Sequence, residues 1–211
     1  MKSPYHHAIA EQDRRVHVLI AHPEAIVRAG LATLLATQSD LHVAIAAADG
    51  AASHADIIIL DHRGAIDRVA RRAAGDPAFS QARVLAVTTL DREWEVYTAL
   101  TAGVDGYLLQ NADGKQLLEA VRTLSRGVRY LSGELTRCVA DSYSRTVPTS
   151  RQMDVLQLLA QGQCNKSIAR ELGIGVGTVK THVKSLCEKL GATARTHAVV
   201  LATQRGLVGK T

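Results

Sequence analysis

Residues 175–190 read GVGTVKTHVKSLCEKL, and the organisation of the whole chain follows from that stretch. Apolar side chains at Val179, Val183, Leu186 and Leu190 recur at helical spacing and make one stripe for burial. A rotation of about 100° per residue puts Thr181, Lys184, Ser185 and Glu188 on the opposite face, flanked by Thr178 and Lys180. The first two turns therefore present hydroxyls and ammoniums, and the acid comes in the third turn. A short polar, cationic leading end of this kind suits a DNA major groove, where lysine reaches guanine edges or phosphates.

The preceding residues supply the rest of a helix–turn–helix. TSRQMDVLQLLA (149–160) has apolar positions at Met153, Leu156, Leu159 and Ala160 and stops at Gly162. Asn165 is the expected cap of a short helix, Lys166 to Leu172, with Ile168, Ala169 and Leu172 inward. Gly173 to Gly177 turns the chain into the long helix, and Thr193 to Arg205 gives a further helix ending at Gly206. The charge agrees: the chain is +5, and residues 148–211 carry the basic surplus while the preceding residues are close to neutral. A nucleic-acid-binding module requires such a local surplus.

From Thr149 to Val208 the sequence resembles the LuxR/NarL-type four-helix DNA-binding domain. The matches lie at Asn165-Lys166-x-Ile168-Ala169, Thr178-Val179-Lys180-x-His182, Lys189-Leu190-Gly191 and Arg195-Thr196. The resemblance implies that Lys180, Thr181 and Lys184 face bases; the helical rotation above puts Ser185 on that face too. The resemblance also puts Asn165, Lys166, Thr178 and Arg195 near the DNA backbone. Two residues depart from the family's habit: Gln152 stands where Glu is usual, and Gly175 stands where Ser is usual as helix cap. Gly for Ser at a cap costs a few tenths of a kcal/mol. His182, at the flank of the buried stripe, is expected to pack or hydrogen-bond within the protein.

At 211 residues, with 46% hydrophobic content, the chain has room for one or two globular domains. No apolar run reaches the ~18 residues that span a bilayer, and MKSPYHHAIAEQDRR lacks a signal peptide's apolar core. Cytoplasmic location is expected, with residues 1–15 a flexible tail and the His6-His7 pair solvated. Cys138, Cys164 and Cys187 are odd in number and lack zinc-ligand spacing, so reduced thiols are expected, with no metal and no cofactor.

Upstream, apolar strands alternate with helical patterns. Strands are expected at Val16–Ala21, Val43–Ala48, Ile57–Leu60, Val84–Thr88 and Tyr107–Leu109. Helices are expected at Glu24–Thr37, Ile66–Ala74, Arg92–Ala102 and Lys115–Leu124. Strands apolar on both faces call for a parallel sheet covered on each side, with chemistry gathered at the strand ends near His22, Asp61 and Thr88.

Residues 16–131 resemble the receiver domain of bacterial response regulators, through VLIA…VRAGL, DIIILD, RVLAVTT, ALTAGVDGYLL and LLEAVRTLSRGVRYLS. The resemblance implies a flavodoxin-like doubly wound (βα)5 fold, followed by the all-α four-helix domain. It also makes Asp61 the phosphoacceptor position, Thr88 the hydroxyl that grips the phosphoryl group, and Tyr107 the family's switch aromatic. Phosphoryl transfer there needs an acidic pair that holds Mg²⁺ through oxygen ligands, and a lysine that offsets the transferred charge. Here His22-Pro23 replace the acidic pair, Gln110 replaces the lysine, and Glu24 comes one position late, at the start of a helix. Asp61 is then expected to be a strand-end carboxylate satisfied by Thr88, Gln110, His22 or backbone donors.

Only Asp49 to Asp56 joins the expected second and third strands, too short for an ordinary parallel crossover. The second helix should be missing or reduced to a turn, leaving a strip that could take a protein or small-molecule partner or pack against another part of the chain. Trp94 and Tyr97 are expected to pack in the core, although in receivers the elements from Asp91 to Leu124 form a dimer face. Residues 132–147 read as a linker helix (Ser132 to Asp141) and a polar linker ending at Pro148, and residues 148–211 as the DNA-binding domain.

The sequence is thus read as a DNA-binding transcription regulator, not an enzyme. A homodimer would bind double-stranded DNA at two half-sites about one helical turn (~10 bp) apart. Its receiver would work through dimerisation or a signal other than phosphate. The alternative is a conventional response regulator phosphorylated on Asp61. A third reading is a protein-interaction module whose helix–turn–helix no longer reads DNA.

Overall fold

The computed structural model describes residues 15–46, 55–76, 82–133, 135–136 and 147–209. They form two compact units, one reaching Asp91 and resuming at Thr98–Gly133, the other comprising Arg92–Tyr97 and the chain from Glu134 onward.

The first unit runs β1 (Val16–Ile20), α1 (Ala25–Ala36), β2 (Leu41–Ile45), β3 (Ile57–Leu60), α2 (His62–Ala73), β4 (Arg83–Thr88), the part of α3 (Glu93–Ala102) from Thr98 onward, β5 (Gly106–Leu109), α4 (Gly114–Ser125) and β6 (Tyr130–Leu131). All strand pairs are parallel, in the order β2-β1-β3-β4-β5-β6. This is the flavodoxin-like winding, with its order reversing at β1, between β2 and β3. The crevice at the carboxyl ends of β1 and β3 therefore receives His22 and Asp61.

Alternation along β3 sorts its side chains. Ile57 and Ile59 enter the core under α1 and α4 with Leu35, Leu85, Val121 and Leu124, while Ile58 points to the other face. At Gly106 in β5 a Cβ would lie 2.9 Å from Leu85 and 3.0 Å from Leu124, so α4 sits on this strand because position 106 has no side chain. At the opposite end of the sheet the buried Asp105 carboxylate accepts from Arg83 Nη1 at 2.8 Å, Arg72 Nη1 at 3.1 Å and the Val84 N–H at 3.0 Å. Burial pushes this carboxyl's pKa up, but the Val84 N–H and the Arg83 and Arg72 guanidiniums outweigh it and hold the pKa below the usual value.

Several details differ from the expectation. A sixth strand, β6, adds to the five: Tyr130 is buried against the core, and its N–H donates to the Asp105 carbonyl. The strand expected at Val43–Ala48 is Leu41–Ile45, starting where Leu41 is buried. Helix α2 begins four residues before Ile66, because Asp61 caps it directly off the strand. The shortened second crossover (residues 47–54), the tail (1–14), Cys138 and the connector from residue 137 to 146 lie outside the described residues.

The second unit holds α5 (Ser150–Ala160), α6 (Asn165–Leu172), α7 (Val176–Leu190) and α8 (Arg195–Gln204). Thr149 and Gln152 form a reciprocal capping box at the start of α5. The core gathers Leu156, Ile168, Val179, Leu186, Leu190 and Ala198 from all of these helices. Gly173 adopts φ 65°, the left-handed region that ends α6 and opens the turn into α7. The expected glycine-rich turn is shorter than Gly173–Gly177: Gly175 is the N-cap, so Gly177 lies inside the first turn of α7.

Candidate functional sites

On α7 the stripe Val179, Leu186 and Leu190 is buried, and Thr178, Lys180, Thr181 and Lys184 are exposed. The Thr181 hydroxyl donates to the Gly177 carbonyl of its own helix at 3.2 Å. Lys184 reaches only a loose pairing with Glu188, 4.0 Å away and itself exposed. Both lysines thus keep ammoniums available outward. His182 is half-buried.

Ser185 behaves differently from its neighbours. It is half-buried, and its Oγ accepts from Gln152 Nε2 at 3.0 Å. Gln152 Oε1 in turn accepts from Lys189 Nζ at 2.9 Å and from the Thr149 N–H at 3.0 Å. The Lys189 ammonium also donates to the Val147 carbonyl at 3.0 Å. Gln152 is only 7% exposed and ties α5 to α7. Sequence marked Gln152 as unusual without revealing that it touches Ser185, 33 residues on.

At α6 the cap is Cys164, not Asn165, which is the first helical residue. The Cys164 thiol is exposed, with its Sγ 3.4 Å from the Ser167 hydroxyl. That hydroxyl, then the backbone N–H groups of Ser167 and Lys166, lower its pKa to about 7. Lys166 is exposed, and Asn165 Oδ1 is buried with no hydrogen-bond partner. Arg195 Nη2 donates to the Gln163 carbonyl at 2.7 Å, which draws the start of α8 beside the start of α6. Arg195 is thereby held beside the start of α6, where Asn165 and Lys166 lie.

In the first unit, Asp61 accepts from the Gly64 N–H at 3.0 Å as the N-cap of α2. Of the donors anticipated for it, the backbone supplies this one. The Thr88 hydroxyl instead accepts from the Leu90 N–H at 3.2 Å. His22, 1% exposed, lies with Nε2 3.1 Å from the Val87 carbonyl, and its Nδ1 accepts from the Glu24 N–H at 3.2 Å. These contacts put the proton on Nε2. Gln110 Nε2 is 3.5 Å from that same ring nitrogen, a contact too long to be a strong bond. Arg28 Nη1 donates to the carbonyls of both His22 (2.5 Å) and Pro23 (2.7 Å). Tyr107 is fully buried; its hydroxyl donates to the Leu90 carbonyl at 2.9 Å and meets His62 Nδ1 at 3.2 Å. Beside this region a cavity of about 170 Å³ is lined by Val27, Leu31, Leu34, Val87, Leu108 and Gln110, among others. Trp94 and Tyr97 stack at 5.5 Å and are half-buried, so neither is a fully buried core residue.

Comparison with known proteins decides the family. Residues 147–202 match the model for bacterial regulatory proteins of the luxR family. The chain is 34% identical over 206 residues to the response regulator protein VraR of Staphylococcus aureus (strain NCTC 8325 / PS 47), covering 92% of this chain and 99% of that protein. The chain belongs to the LuxR-family response regulators.

One solved structure agrees with that membership, and another shares the fold. The response regulator ChrA of a heme-sensing two-component system is 32% identical, with a TM-score of 0.51 over 92% of this chain and 98% of that one. RcsB from Salmonella enterica serovar Typhimurium, solved bound to promoter P1flhDC in the presence of phosphomimetic BeF3-, is 19% identical with a TM-score of 0.64, over 90% of this chain and 99% of that one. The second likeness is one of fold alone. As a LuxR-family response regulator the chain is a DNA-binding transcription regulator, and the matched segment contains every outward group of α6 and α7 described above. Among the described residues no helix is long and apolar enough to cross a membrane.

Proposed function

We propose that this LuxR-family regulator acts in the cytoplasm as a homodimer that reads a specific duplex through α7, under a receiver that does not run on Asp61 phosphorylation. Residues 16–131 are its receiver, 132–147 its linker after a tail of 1–15, and 148–211 its DNA-binding domain. Lys180, Thr181 and Lys184 face bases, with Ser185 on the same side of the helix; Thr178, Asn165, Lys166 and Arg195 hold the DNA backbone.

The observation that carries the receiver half is the occupation of the acidic-pair position. His22 is buried and committed to Val87 and Glu24, and the Arg28 guanidinium lies on the carbonyls of His22 and Pro23. Mg²⁺ wants several hard oxygen ligands in octahedral array. Among the described residues no group of three or more His, Cys, Asp or Glu side chains is placed to hold a metal ion. The residues present do not fit that ion: His22 and Pro23 bring no carboxylate, the Arg28 guanidinium brings positive charge to their carbonyls, and Asp61 Oδ1 already accepts from the Gly64 N–H.

The experiment is a selection of bound duplexes from a random pool, followed by titration of the selected duplex. Lys180→Ala/Lys184→Ala should abolish the enriched motif, and a small phosphodonor with Mg²⁺ should leave wild-type affinity unchanged. No enriched motif would support a protein-interaction module. A gain in affinity with the phosphodonor, lost in Asp61→Ala, would support a conventional phosphorylated regulator.

A further inference from the structure

The hydrogen-bond direction around Gln152 is fixed by chemistry. One end of its amide faces the Lys189 ammonium at 2.9 Å and the Thr149 N–H at 3.0 Å. Both are donors only, so that end must be the carbonyl oxygen. The NH₂ end is then forced toward Ser185 Oγ at 3.0 Å, and the serine accepts. Helical serines and threonines commonly donate back to the carbonyl four residues earlier, as Thr181 does to Gly177. Ser185 makes no such bond, and among the described residues Gln152 is its one hydrogen-bond partner. Its proton is therefore left to point away from α5. Ser185 is half-buried, next to the exposed Lys184 and one turn beyond Thr181, at the border of the outward face.

We propose that Gln152 is a positioning residue that makes Ser185 a hydrogen-bond donor toward a DNA phosphate. This rests on the reading of α7 as the DNA-facing helix. Phosphate oxygens accept and never donate, so the direction of the serine proton decides whether the contact is attractive. A carboxylate at position 152, the side chain usual in the family, has no proton to give. It would draw the Ser185 proton inward and leave lone pairs facing the phosphate. The amide thus converts Ser185 from an acceptor into a donor on the DNA side.

The test is a double-mutant cycle in the full-length protein, titrated with a duplex of mixed sequence at several salt concentrations. A hydrogen bond to a charged acceptor corresponds to about tenfold in affinity. Ser185→Ala and Gln152→Glu should each weaken binding by about that factor, and the double variant by no more than the worse single one. Ser185→Ala should weaken binding equally at every salt concentration, because a neutral hydroxyl releases no counterion, whereas Lys184→Ala should flatten the slope by about one. Additive losses would show that the carboxylate acts by charge and not through Ser185, and would overturn the proposal. Ser185→Ala with unchanged affinity would overturn it without any need for a folded Gln152→Glu protein. If Lys180→Ala/Lys184→Ala also binds normally, the DNA-facing reading of α7 fails with it; if those lysines matter and Ser185 does not, only this inference fails.

Discussion

The Asp61 carboxylate accepts the backbone N–H of Gly64 at 3.0 Å, which makes the residue at the end of β3 the cap of the helix that follows it. A Cβ at position 64 would lie 2.7 Å from Asp61 Oδ1 and 3.2 Å from Leu60 Cδ2. Glycine is what lets the carboxylate fold back onto the first turn. Asp61→Ala should therefore cost about 1 kcal/mol through the lost cap. Gly64→Ala should cost a similar amount by displacing the carboxylate, and Asp61→Asn much less. Urea unfolding followed by circular dichroism checks all three. A stabilised Asp61→Ala protein would mean that the carboxylate is held in strain and not used as a cap.

Asp105 gives a pH signature. Its carboxyl is held below its ordinary value in the folded state, so the stability it contributes is present above the unfolded pKa, near 4, and is lost as pH falls through the folded value. Asp105→Asn should cost about 2–3 kcal/mol near neutrality, from weakened bonds to Arg83, Arg72 and Val84. The gap from wild type should close as the pH drops below about 4. Thermal melts of both proteins across an acid series measure it, and a gap independent of pH would contradict the assignment.

Cys164 should be the more reactive of the two described thiols. It is exposed and Cys187 is half-buried, and the Ser167 hydroxyl with the Ser167 and Lys166 N–H groups brings the Cys164 pKa to about 7. Its alkylation rate by iodoacetamide should rise with a midpoint near that pH, and Ser167→Ala should move the midpoint upward. Because Cys164 adjoins Asn165 and Lys166, bound duplex should slow the reaction. Equal rates with and without DNA would separate the start of α6 from the interface.

Tyr107 tests the switch. In receivers the corresponding aromatic is a moving part; here its hydroxyl is held by the Leu90 carbonyl and His62. Tyr107→Phe should cost about 1 kcal/mol of stability and leave affinity for a selected duplex unchanged. Altered affinity with unaltered stability would point to a working switch.

How far the sequence reached depended on whether a feature was periodic or spatial. The strand at Ile57–Leu60 and the stripe of Val179, Leu186 and Leu190 were legible because burial imposes spacing on neighbouring residues. The helix expected from Ile66 starts four residues earlier, at His62, because the Asp61 side chain caps it and Gly64 leaves room for that cap. Asn165 is a better capping residue than Cys164 by propensity, yet Cys164 occupies the cap, and Ile168 and Ala169 of the same helix are buried. The two-residue strand Tyr130–Leu131 is too short to carry a period. Arg28 on the His22 and Pro23 carbonyls, and Gln152 on Ser185, join residues whose meeting depends on the finished fold, so no local pattern announces them. That His22-Pro23 and Gln110 stand at the acidic-pair and lysine positions was legible; that the Arg28 guanidinium lies on the His22 and Pro23 carbonyls was not.

The most direct test of that replacement is the intact mass of the full-length protein after incubation with a small phosphodonor and Mg²⁺. With His22, Pro23 and Arg28 where the metal cage would be, and Asp61 engaged with Gly64, the mass should stay that of the unmodified chain. A stable increment of one phosphoryl group, absent in Asp61→Ala, would contradict the account.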